Sequence, residues 1–122
     1  MARTINYPNG VFDDSVRAGD DVSWELTDCE PDGVTPIDNT NRTATLQVRT
    51  SADAESDLLE LTSPSGGILL GGANGQISVS MTAAQTRAMG PGTWVWALRL
   101  GGTSQETLFT GTLQVLPEVV RV

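Results

Sequence analysis

Gly92-Thr93-Trp94-Val95-Trp96-Ala97-Leu98-Arg99-Leu100, Gly101-Gly102-Thr103-Ser104-Gln105-Glu106 and Thr107 through Leu116 follow one another without a break. Two stretches rich in β-branched and aromatic residues flank six polar or glycine residues, the pattern of a long β-hairpin with a loose tip. Trp94, Trp96, Leu98 and Leu100 share one parity in the first strand, and Phe109, Leu113 and Val115 share one in the second, so each strand has a face to bury. Gly111 marks a bulge or a close backbone approach. Pro117 ends the pairing because it lacks an amide donor. The hairpin makes the chain all-β and is expected to close the domain, with residues 117–122 as a tail.

The same reading extends towards the N-terminus. Val22, Trp24 and Leu26 alternate with Ser23, Glu25 and Thr27 in one half-buried strand, and Ala44, Leu46 and Val48 with Thr45, Gln47 and Arg49 in another. Leu58–Leu61, Ile68–Leu70 and the stretch of Ile77, Val79 and Met81 add three short strands. Ile5–Tyr7 and Val11–Arg17 are irregular strand material around Pro8-Asn9-Gly10. Turns are expected at Ala18–Asp21, Pro31-Asp32-Gly33 and Asn74-Gly75, the last as a hairpin turn in which both residues tolerate positive φ. Thr82-Ala83-Ala84-Gln85 is a capping box, predicting a helix over Ala83–Met89 that Gly90-Pro91-Gly92 stops. The expectation is one antiparallel β-sandwich over residues 1–122, of seven or eight strands, with the helix in a crossover and short arms at 1–8 and 117–122. Its predicted core is Val22, Trp24, Leu26, Leu46, Val48, Ile77, Val79, Trp94, Trp96, Leu98, Leu113 and Val115.

Composition removes whole classes of chemistry. The 122 residues contain no histidine and no lysine, since all seven basic residues are arginine. Ser-His-Asp and Cys-His catalysis, Schiff-base chemistry and the P-loop lysine therefore fall away. Cys29 is the one cysteine, so no intrachain disulfide and no cysteine-based zinc site can form, and it reads as a small loop or edge residue. A net charge of −8 opposes binding to nucleic acid or to an anionic membrane. No apolar run is long enough for a membrane helix, and Met1-Ala2-Arg3-Thr4 is not a cationic leader, so the protein is expected to act in the compartment where it is made or to leave it by lysis or assembly.

Four constellations have a functional and a bland reading. Trp94 and Trp96 could stack on sugar rings, but their parity continues into Leu98 and Leu100, which favours the core. Asp13-Asp14, Asp20-Asp21 and the alternating Asp53, Glu55 and Asp57 offer oxygens to calcium, yet match no EF-hand spacing and suit solvated turns. Glu25 and Glu60 lie in predicted strands with no spacing that pairs them for glycoside hydrolysis. Asn41-Arg42-Thr43 matches a glycosylation sequon, which is expected to be a chance match because Met1-Ala2-Arg3-Thr4 does not read as a leader that would bring it to the machinery. The termini are apolar: Ile5, Tyr7 and Phe12 at one end and Val119, Val120 and Val122 at the other are candidate assembly contacts, or else edge strands of their own domain.

Arg17-Ala18-Gly19-Asp20-Asp21, then a strand, then Asp32-Gly33-Val34-Thr35-Pro36-Ile37-Asp38 resembles a motif of small tailed-phage proteins. The resemblance continues through Ala44–Arg49, Gly75–Thr86, Gly92–Leu98 and Gly111–Val119, covering most of the chain. The arrangement is similar to the N-terminal domain of the upper baseplate protein of lactococcal phages, and Asn39-Thr40-Asn41 stands where that pattern has leucine-threonine-glycine. The resemblance implies an immunoglobulin-like sandwich and a non-enzymatic structural role in a virion assembled in the bacterial cytoplasm. The expected partners are other virion proteins and copies of the chain itself, with no nucleic acid, membrane, metal or cofactor. A multicopy module at the baseplate or tail-fibre attachment is the first reading. A capsid decoration protein is the second, and a carbohydrate-binding module is the rival of another class.

Overall fold

The computed structural model describes residues 2–6, 11–29, 35–63, 66–102 and 105–119. Alternating apolar residues give nine strands: β1 (Ala2–Asn6), β2 (Asp14–Arg17), β3 (Val22–Thr27), β4 (Thr43–Arg49), β5 (Leu59–Thr62), β6 (Ile68–Leu70), β7 (Gln76–Met81), β8 (Gly92–Gly101) and β9 (Glu106–Leu116). The helix α1 (Ala83–Met89) crosses from β7 to β8. One sheet has the order β1-β3-β7-β6 and the other β2-β9-β8-β4-β5. β1 runs parallel to β3 and β2 parallel to β9, and every other pairing is antiparallel. The four-stranded sheet follows the A, B, E, D order of immunoglobulin domains, and the five-stranded sheet adds an A′-type and a C′-type strand to G, F and C. The fold is an immunoglobulin-like β-sandwich.

Nine strands form, rather than seven or eight, because the N-terminal stretch changes sheets. Phe12 N donates to Thr110 O at 2.8 Å, and Asp13 Oδ1 then accepts from Thr112 N at 2.8 Å and Thr112 Oγ1 at 3.0 Å. The Asp13 side chain thus takes a ladder position, and the main-chain ladder with β9 resumes at Asp14–Leu113. The stretch 1–8, expected as an arm, contains β1, in which Ile5 stands opposite Leu26.

Between the sheets lie Trp24, Leu26, Leu46, Val48, Ile77, Val79, Leu98 and Leu113, each no more than 1 % exposed, with Val22, Trp96 and Val115 also buried. Trp94 is only half-buried against this cluster, because it stands near the start of β8 and its ring folds back over Gly92, with Nε1 on Gly90 O. Trp24 on β3 and Trp96 on β8 meet across the gap with ring centroids 4.9 Å apart. Antibody domains join these same two strands by a disulfide. Here two large aromatic side chains fill that position by packing.

Gly111 is explained by the same region. A Cβ there would run into the carbonyl of Phe12, which accepts from Trp96 Nε1 at 3.0 Å. The register shift of the hairpin lies elsewhere, at Leu98/Arg99, where Leu108 is the extra residue and both it and Phe109 are buried.

The capping box forms as read. Thr82 Oγ1 accepts from Gln85 N at 3.2 Å, and Gln85 Oε1 accepts from Thr82 N at 2.8 Å. Asp21 Oδ1 satisfies a third free amide of the first turn, that of Ala83, at 2.7 Å. The Asn74-Gly75 turn is a short 3-10 turn over Gly72–Asn74, with only Gly75 of the pair at positive φ (70°). Asn41 adopts φ 66° in the turn before β4. It occupies the position where the phage pattern has glycine, and asparagine is among the few side chains that tolerate the left-handed region. The Pro31-Asp32-Gly33 turn lies outside the described residues.

Candidate functional site

Trp24 and Trp96 offer no stacking platform. Trp96 is 3 % exposed, and Phe12 packs edge-on against both Trp24 and Trp96, with centroids 5.1 and 6.3 Å away. Trp94 turns its Nε1 to Gly90 O at 3.2 Å. Phe12, a candidate assembly contact in the sequence, therefore has its ring against the core.

The acids are dispersed. Glu25 accepts from Gln76 Nε2 and Ser78 Oγ, both at 2.7 Å, on the outer face of the four-stranded sheet. Glu60 accepts from Gln47 Nε2 at 2.6 Å on the outer face of the other sheet. The two carboxylates stand on opposite sides of the sandwich and cannot flank one glycosidic bond. Asp14 Oδ2 accepts from the indole of Trp24 at 2.9 Å. Asp13 and Asp21 serve β9 and the helix start, as above. Among the described residues, no three acids, histidines or cysteines come together around a cation. Cys29 is buried at the neck of the β3–β4 connection, bridged to Pro36.

The apolar termini separate into different environments. Tyr7, Val120 and Val122 lie outside the described residues, and Ile5 is a strand residue. At the C-terminal end Pro117 and Glu118 are clamped to the sandwich. Arg17 Nη1 donates to Pro117 O at 2.8 Å, and the Arg87 guanidinium donates to both Glu118 oxygens, at 3.0 and 2.9 Å. The bidentate hydrogen bonding, and secondarily the carboxylate charge, raises the Arg87 pKa above its ordinary value. Val119, the next residue, is 74 % exposed.

A second surface escapes the sequence reading. The outer face of the five-stranded sheet holds two concavities, of about 310 and 580 Å³, that meet across Gln47, Ala97 and Arg99. Its floor is the outward parity of β4 and β8, brought side by side by the pairs Thr45–Arg99, Gln47–Ala97 and Arg49–Val95. The alternation of each strand is legible in the sequence, but that Arg49 and Arg99 border one furrow follows from the register.

No protein-family model and no curated protein matches this chain. Solved structures resemble it at low identity. The N-terminal domain of phage TP901-1 ORF48 is 12 % identical, with a TM-score of 0.49 over 93 % of this chain and 98 % of that one. An immunoglobulin domain from the titin M10–obscurin-like 1 complex is also 12 % identical, with a TM-score of 0.45 over 94 % and 93 %. Tim-1 is 20 % identical, with a TM-score of 0.44 over 91 % and 97 %.

Proposed function

We propose that this chain is a non-enzymatic structural module of a tailed bacteriophage virion, present in several copies and docked at the baseplate or tail-fibre attachment region. The observation that carries the reading is the ordered run of motifs, from Arg17–Asp21 through Gly111–Val119, that resembles small tailed-phage proteins. An immunoglobulin-like sandwich by itself argues for no particular role, because the same fold serves many. The geometry is compatible with a scaffold: a rigid core, short edge strands, and a C-terminal segment held by Arg17 and Arg87 so that Val119 projects in a set direction.

Immunogold labelling of purified particles from the encoding genome tests this reading. Label at the tail tip supports it. Label over the head faces would move the protein to capsid decoration, and unlabelled particles would end the virion reading. Deleting residues 119–122 is expected to lower incorporation into particles while leaving the melting temperature unchanged.

A further inference from the structure

Two polar side chains lie where water does not reach. Asp28, directly after β3, and Asn39, ahead of β4, are each 2 % exposed. Their main chains gather three segments. Asp28 N donates to Gly75 O at 2.8 Å, Ile37 N donates to Asp28 O at 2.8 Å, and Asn39 N donates to Gly72 O at 2.9 Å. The pair thus closes the neck of the β3–β4 connection and fastens it to the Gly72–Asn74 turn. A Cβ on Gly75 would run into the carbonyls of Asp28 and Ile37, so the junction is tightly packed.

Between the side chains, Asn39 Nδ2 donates to Asp28 Oδ2 at 3.1 Å. Asn39 Oδ1 is buried as well and accepts no hydrogen bond. A buried amide oxygen calls for a donor. A carboxylate only accepts, whereas a carboxylic acid also donates. We infer that Asp28 is a neutral acid in the folded protein, its proton on Oδ1 and donated to Asn39 Oδ1. The two bonds then close one ring, a carboxylic acid–carboxamide pair in which each side chain gives one bond and takes one. Burial favours the same form, because it penalises the charged carboxylate.

Few titratable or charged groups surround the pair among the described residues. Cys29, next along the chain, is buried. The exposed Asp38 carboxylate is turned to Thr40. Arg42, whose N donates to Asn39 O at 3.1 Å, sends its Nε to Gly101 O at 2.9 Å. The Gly72–Asn74 turn carries none. Glu30 and Asp32 lie outside the described residues. The neck is therefore a latch held by one proton. The folded chain keeps a proton that the unfolded chain has released, so the stability this pair contributes falls as the pH rises and Asp28 ionises. The inference concerns the folded chain alone and stands apart from the virion reading.

Asp28→Asn tests it, because its amide copies the neutral acid, with an Nδ2–H where the acid has Oδ1–H. The chain has no histidine, so few other groups change charge between about pH 5 and about pH 8. Denaturant melts of wild type and variant across that range should show the ratio of their folding constants moving in the variant's favour, by up to about tenfold per pH unit. Carbon-13 NMR of the wild type at neutral pH should show one aspartate carboxyl with the shift of a protonated acid, absent from Asp28→Asn. The spectrum of the wild type decides the matter even if the variant does not fold. A wild type in which every aspartate is ionised at neutral pH overturns the inference, as does an Asp28→Asn variant less stable than wild type by the same margin throughout the range.

Discussion

Gly111 shows how one missing methyl group decides a packing arrangement. It lets the Phe12 carbonyl reach Trp96 Nε1 over the β9 backbone, so that Phe12, Trp24 and Trp96 pack as one aromatic group. Gly111→Ala would force backbone against backbone, and chemical denaturation should show a loss of about 2–3 kcal/mol. A glycine amid apolar alternation is visible in the sequence. What approaches it is not, because the Phe12 segment comes from the other end of the chain: its next residue, Asp13, bonds to Thr112, 99 residues away. At the exposed turn before β4, Asp38 accepts from Thr40 Oγ1 at 2.5 Å and Thr40 N at 2.9 Å. The hydroxyl bond, and then the amide bond, lowers its pKa below the ordinary aspartate value. A carboxyl whose folded pKa is depressed contributes stability above its unfolded pKa and loses it as the pH falls through the folded one. Thr40→Ala should therefore raise the Asp38 pKa, and an NMR titration of the Asp38 carboxyl carbon checks it.

Helix α1 is the element most fully readable in advance, because its signals are local. Thr82 and Gln85 are three residues apart, and their two hydrogen bonds follow from that spacing. Thr82→Ala should cost about 1 kcal/mol in a thermal or denaturant melt. Local signals do not say what the helix is tied to. Thr86, fully buried, accepts from Gly19 N at 3.1 Å and donates to Asp20 O at 2.9 Å, fastening the helix to the β2–β3 turn. Thr86→Val keeps the shape but strands those two main-chain groups, and should cost about 1–3 kcal/mol, more than the loss of the cap. The N-terminal strands were the least readable for the opposite reason. Their switch between sheets depends on Asp13 meeting β9, a pairing that no local pattern encodes.

For the whole molecule, the Trp24–Trp96 contact takes the place of an inter-sheet disulfide. Stability should accordingly be indifferent to reductant. Trp24→Ala, which removes a fully buried ring, should cost about 3–5 kcal/mol. Tryptophan emission of the native chain should be blue-shifted and poorly quenched by iodide, with the half-buried Trp94 supplying the accessible fraction. A red, readily quenched signal would contradict this packing.

Residue order alone carried the all-β class, the strand alternation, the helix with its cap, and the chemistry that a chain without histidine or lysine cannot perform. Each of these depends on periodicity over a few residues or on composition, both of which are written along the chain. The folded arrangement decided which surfaces exist. It placed Glu25 and Glu60 on opposite faces, turned Phe12 inward, clamped Pro117 and Glu118 with Arg17 and Arg87, and set Arg49 and Arg99 beside one furrow. Those are consequences of strand register and sheet order, which bring distant residues together and leave no mark in local pattern.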